Sequence, residues 1–239
     1  PRDAVRPWTF HPISPLGLWN RFTHGLGFGD LNGDGRADIL EKNGWWQQPA
    51  SLVGDPVWEF HPYPFATAPA PGGAQMLVTD VNGDGLADVV TSRHAHGYGL
   101  SWFEQIRAAD GAINFSPHVI LSENPDTKIS GVQFAQLHAL ALADVDGDGL
   151  PDIITGKRWW AHGPKGDADP AGAPVLYAFL TRRAPDRTVT FEPRLLDDNS
   201  GIGTQVSAAD VNADGRADFI VGNKRGTFVV LSKNAVQQK

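Results

Sequence analysis

Four nine-residue segments of nearly the same spelling run through this chain: DLNGDGRAD (30–38), DVNGDGLAD (80–88), DVDGDGLPD (144–152) and DVNADGRAD (210–218). Their first aspartates, Asp30, Asp80, Asp144 and Asp210, are 50, 64 and 66 residues apart. A repeat at that spacing means that one supersecondary unit is built four times and stacked on its neighbours. A short apolar run precedes each segment (GLGFGD, MLVTD, LALAD, VSAAD) and another follows it (ADILEK, ADVVTS, PDIITG, ADFIVG). Runs this short, with turn chemistry between them, read as β-strands.

A third strand is expected next in each unit, at GWWQQ, GLSWFEQ, VLYAFLT and GTFVVLS. A fourth carries Phe-x-Pro, at Phe10, Phe60, Phe115 and Phe191, in the stretches 8–14, 58–64, 113–121 and 189–196. Proline lacks an N–H and belongs on a sheet edge, so this strand is the outermost. Four-stranded antiparallel units in series predict an all-β fold, a β-propeller with four visible blades forming a single domain over 1–239. The blades are expected at about 20–64, 70–121, 134–196 and 200–239. The first Phe-x-Pro stretch precedes the first loop and none follows the last. Two arrangements fit that phase: a ring of four closed by strand 8–14 completing the last blade, or part of a larger, for example seven-bladed, propeller.

The loops have oxygen donors at alternate positions, as a hard cation requires. Positions 1, 3, 5 and 9 are Asp30, Asn32, Asp34 and Asp38; Asp80, Asn82, Asp84 and Asp88; Asp144, Asp146, Asp148 and Asp152; and Asp210, Asn212, Asp214 and Asp218. Position 7 (Arg36, Leu86, Leu150, Arg216) would offer its backbone carbonyl. Four such sets predict about one Ca²⁺ per blade, four in all. An EF-hand would need a bidentate glutamate at position 12 and a helix after it. That position holds Glu41, Thr91, Thr155 and Val221, and each loop is followed by a strand-like run, so the EF-hand is rejected.

Loops of this kind between the first and second strands of a blade resemble the FG-GAP or VCBS repeats of calcium-loop β-propellers, which integrin α-subunit heads and many secreted bacterial proteins carry. The resemblance covers nearly the whole chain and implies bound calcium and an extracytoplasmic or secreted location. In the fourth copy Ala213 replaces a glycine, which is expected to strain that turn.

The formal charge is −7, and thirteen of the 27 carboxylates lie in the four loops. Four divalent ions would bring that sum to +1, so the acidity is mainly ligand charge. With no basic surplus or stripe, a nucleic-acid partner is not expected. No apolar run reaches 18 residues, so no membrane insertion is expected. Cysteine is absent, which removes thiolate ligands and nucleophiles. The chain starts at Pro1, and further domains of a longer parent chain are expected.

In a four-stranded blade, the start of the first strand and the link between the second and third strands share the face opposite the loops. His24 and His138 stand six residues before a loop's first aspartate, while His94, His96 and His162 fall in second-to-third-strand links. Lys157, Arg158, Lys224, Arg225, Trp159, Trp160 and Tyr98 fall in those links, and Gln75 and Gln205 take first-strand positions beside those of the two histidines. Lys42, Arg93, Trp45 and Trp46 are on the same rim, whereas His11, His61 and His118 belong to outer strands. Imidazoles, cations and aromatic rings on one face suit a carbohydrate or another small polar or anionic ligand. A transition metal held by three of the histidines is a further option. The alternatives are a sugar lyase or dehydratase acting on a keto-sugar, and a structural or adhesion propeller with no small-molecule site. HAHGYGLSWFEQ and GKRWWAHGPKGD look like segments of propellers related to aldos-2-ulose dehydratase. That resemblance implies that His94, His96, His138, Arg158 and His162 surround a keto-sugar.

Overall fold

In the computed structural model, residues 8–17, 22–66, 72–159 and 162–233 are described, and they contain fifteen strands and no helix. Blade 1 is β1 (Leu26–Gly29), β2 (Asp38–Glu41), β3 (Gly44–Gln47) and β4 (Glu59–Pro62). Blade 2 is β5 (Leu77–Thr79), β6 (Asp88–Ser92), β7 (Leu100–Arg107) and β8 (Ile113–Leu121). Blade 3 is β9 (Ala141–Ala143), β10 (Asp152–Gly156), β11 (Leu176–Arg183) and β12 (Val189–Asp197). Blade 4 has three strands, β13 (Val206–Ala209), β14 (Asp218–Asn223) and β15 (Gly226–Val230). Every sheet is an antiparallel meander in chain order, the arrangement of a four-bladed β-propeller.

Why these residues form blades is visible in their registers. Hydrophobic side chains alternate between the two faces of each sheet and meet the neighbouring blade on both sides. Leu31, Leu40 and Trp45 of blade 1 pack with Met76, Val89 and Phe103 of blade 2. Val90, Trp102 and Ile120 on the other face of blade 2 pack with Leu140, Ile153 and Phe179 of blade 3. Ile154, Ala178 and Leu180 then pack with Val206 and Phe219 of blade 4. The innermost strands come very close. A Cβ at Gly27 would lie 2.2 Å from the Met76 carbonyl, so the glycines of LGFG let β1 lie against the next blade. The edge strands follow the Phe-x-Pro expectation at β4, β8 and β12, with Pro117 opposite Phe103 and Pro193 opposite Phe179.

The first Phe-x-Pro stretch departs from expectation. Residues 8–14 are not a strand and do not complete blade 4. Instead the Ile13 carbonyl accepts from the Trp58 amide at 2.9 Å, and His11 Nδ1 lies 2.6 Å from Asp55, so the segment lies against the β3–β4 link of blade 1. Among the described residues three inter-blade cores form, and none joins blade 4 to blade 1. Leu26 and Phe28 in β1 are 67% and 75% exposed, whereas Met76, at the position of Leu26 in the next repeat, is 3% exposed.

Candidate functional site

Each loop is folded by its own carboxylates. Asp30 Oδ1 accepts from the amides of Gly33 (2.8 Å) and Asp34 (3.0 Å), and its Oδ2 from Gly35 (2.8 Å). Asp80 and Asp144 repeat the pattern. The ninth-position aspartates, Asp38, Asp88, Asp152 and Asp218, are fully buried. Each joins the loop's second residue to the end of the third strand: Asp88 accepts from Val81 N at 3.0 Å and Gln105 N at 2.8 Å, and Asp152 from Val145 N and Thr181 N, both at 2.8 Å. Burial pushes the Asp88 carboxyl up to about 6. In the third loop Asp144, Asp146 and Asp148 bring carboxylate oxygens within 4.8 Å of one another. The Arg182 guanidinium spans Asp146 at 2.6 Å and Asp148 at 2.9 Å. Hard oxygens, an open turn and surplus negative charge are the donor chemistry of a Ca²⁺ site.

At the other end of the inner strands, residues from three blades converge. His24 precedes β1, His138 precedes β9, and His96 lies in the β6–β7 link. Their rings form a mutually edge-on trio, with centroids 5.0 Å apart for His24–His96, 4.7 Å for His24–His138 and 5.5 Å for His96–His138. Each offers a ring nitrogen within 4.8 Å of the others, and the Nε2 atoms of His24 and His96 are 3.3 Å apart. Arg158, from the link after β10, places Nη2 2.9 Å from His96 Nδ1. Asp167, whose side chain is 2% exposed, lies 2.9 Å from His96 Nδ1 and 2.8 Å from His162 Nδ1, and His162 stacks on His96 at 4.8 Å.

Burial, with the Arg158 charge behind it, lowers His138 to about 3, so this imidazole is neutral. Burial also lowers His24 and His96, the latter against the opposing hydrogen bond of Asp167. His138 Nδ1 and Arg158 Nε are buried without a hydrogen-bond partner. A group of polar atoms in this state has lost its water without full compensation, which is costly unless something else binds there.

The remaining sequence candidates separate clearly. His94 stays outside the trio, and its Nδ1 accepts from the His96 amide at 3.2 Å. Gln75 is spent on the scaffold, its Oε1 accepting from Leu140 N at 2.8 Å and its Nε2 donating to Thr204 O at 3.4 Å. Lys157 is 1% exposed and lowered by burial. Tyr98 is half-buried, and Gln205, Lys224 and Arg225 are exposed. The Arg225 guanidinium lies 4.6 Å from the centroid of Trp159. Trp160 lies outside the described residues. Trp45 stacks on His61 at 4.2 Å and Trp102 on His118 at 4.3 Å, cross-strand pairs that belong to the blades. Sequence reasoning missed Asp167; its one signal was a carboxylate five residues after His162, and loop acids are usually solvated.

A family model described as FG-GAP-like repeat matches residues 80–155, and one described as FG-GAP repeat matches residues 202–237. No curated protein matches the chain.

Proposed function

Since the chain belongs to the FG-GAP repeat family of β-propellers, we propose that it is a calcium-stapled, extracytoplasmic propeller whose histidine face binds a carbohydrate. The observation that carries this is the meeting of His24, His96, His138, Arg158 and Asp167 from three blades, with His138 Nδ1 and Arg158 Nε left without partners. A propeller axis that served only packing would be filled at lower cost by apolar side chains. Sugar hydroxyls both donate and accept, so neutral imidazoles, a guanidinium and a carboxylate suit them, and Trp159 adds an aromatic surface.

In each loop the side-chain oxygens at positions 1, 3, 5 and 9 (an asparagine at position 3 in three loops, Asp146 in the third), with the carbonyl at position 7, would hold the Ca²⁺. The ion would neutralise mutually repelling carboxylates and tie two strands, without taking part in chemistry. His24, His96 and His138 would hold a divalent transition-metal ion if one binds on that face, and it would supply carbonyl polarisation.

A second reading is keto-sugar dehydration, favoured by the His96–Asp167 pair. Asp167 orients the imidazole, and His96 Nε2 would take the proton next to the carbonyl and return it to the departing hydroxyl, which leaves as water. Arg158 would stabilise the enolate. His138, held at about 3, is too weak a base for that role.

The test is calorimetric titration with a panel of neutral, acidic and keto sugars. His96→Ala and His138→Ala should each weaken binding by at least about tenfold, the cost of one or two hydrogen bonds to a buried ligand. Calcium content and melting temperature should change little, because the loops lie at the far end of the strands. His162→Ala provides a safeguard against misfolding, since its side chain is 61% exposed. Full binding by all three variants would refute the site.

A further inference from the structure

On the same face, between blades 3 and 4, lies a cleft of about 490 Å³ bounded by Arg158, Trp159, Thr204, Lys224 and Thr227. Its volume is within the range of small-ligand pockets, about 300–1,000 Å³. The lining carries two cations and no carboxylate. Arg225 adds a third positive charge at the rim through its position over Trp159. Arg158 is 6% exposed, and its nearest counter-charge, Asp167, is 3.9 Å away and already bonded to His96 and His162. A buried guanidinium with so little compensation, next to a second cation in an open cleft, is a site for an anion. Arg158 also touches His96, so one side chain borders both the cleft and the histidine trio.

We infer that the cleft is the carboxylate subsite of an acidic sugar, a uronic or aldonic acid whose ring hydroxyls reach the histidines; this rests on the carbohydrate reading above and narrows it. Arg158 and Lys224 meet the carboxylate, and Thr204 and Thr227 are hydroxyl partners along the wall. Gly222 keeps the cleft open: a Cβ there would meet nothing closer than Thr227 Oγ1 at 4.0 Å, and its backbone is outside the left-handed region. A larger side chain at 222 therefore enters the cleft without disturbing the strand.

Calorimetry with matched pairs, glucuronate against glucose and galacturonate against galactose, tests this. The acid of at least one pair should bind at least about tenfold more tightly than its neutral partner, as a charge-assisted contact provides. Lys224→Met should weaken the acid much more than its neutral partner and so remove most of that advantage. Gly222→Leu should bring the acid down to the neutral sugar's level at an unchanged melting temperature. Equal affinity within both pairs, or an acid preference that survives both substitutions, would overturn the acidic-sugar inference and leave the carbohydrate reading standing. If neither acids nor neutral sugars bind, both fall.

Discussion

Ala213 is the residue at which the fourth loop departs from the other three. Its φ is 60°, in the left-handed region, where Gly33, Gly83 and Gly147 at the matching positions have 77°, 78° and 80°. An alanine pays about 1 kcal/mol for that conformation, and a glycine does not. Part of the gain from Ala213→Gly is lost to greater freedom of the unfolded chain. The net expectation is stabilisation of about 0.5 kcal/mol, read as a higher urea midpoint at an unchanged slope. An unchanged or lower midpoint would mean that the turn carries no strain. The strained residue was legible in the sequence because the repeat supplied its own reference. The distinction between His94 and His96 was not. Both stand in the same link, and only the fold shows His96 directed to the axis while His94 turns back on the His96 amide. Asp167 was hidden for the same reason, since its burial depends on packing between links far apart in sequence.

At the scale of single elements, the ninth-position aspartate ties each loop to its own third strand, and in the first two loops an arginine of the next blade also grips the backbone. Arg107, at the end of β7, donates to the Asn32 carbonyl, and Arg183, at the end of β11, donates to the Asp80 carbonyl at 3.0 Å and Val81 at 2.8 Å. Loop order and blade-to-blade contact are thereby coupled, so a bound ion would stabilise more than one blade. The purified protein should carry close to four calcium ions per chain by elemental analysis. Excess chelator should lower its melting temperature by many degrees, because ligand binding to the folded state alone raises stability by mass action. A melting curve that ignores the chelator would refute the calcium assignment. The strands themselves were legible from alternating apolar runs and Phe-x-Pro. Strand 8–14 was the exception, although its letters match β4. A strand also needs a free edge within reach, and the nearby β3–β4 link of blade 1 captures this segment at a lower loop-closure cost than the distant edge of β15.

At the scale of the molecule, the described residues of the four repeats form three inter-blade cores in series and two separate ends to the inner strands. One end bears acidic loops, the other a buried polar cluster. The repeat made that division readable, because chain direction within a blade decides which links share a face. How far the histidines converge could not be read, since it depends on how closely the inner strands approach; Gly27 and Gly29 against Met76 and Val78 set that spacing. The separation of roles is the central claim: ions staple one face, and ligand binds the other. It is tested most directly by a crystal structure of the calcium-loaded protein soaked with a saturating sugar acid. Ligand density is expected at the axis within hydrogen-bonding distance of His96 and Arg158, with its carboxylate in the blade 3–4 cleft. Ligand seated on the loop face, or an axis that stays empty at saturation, would contradict it.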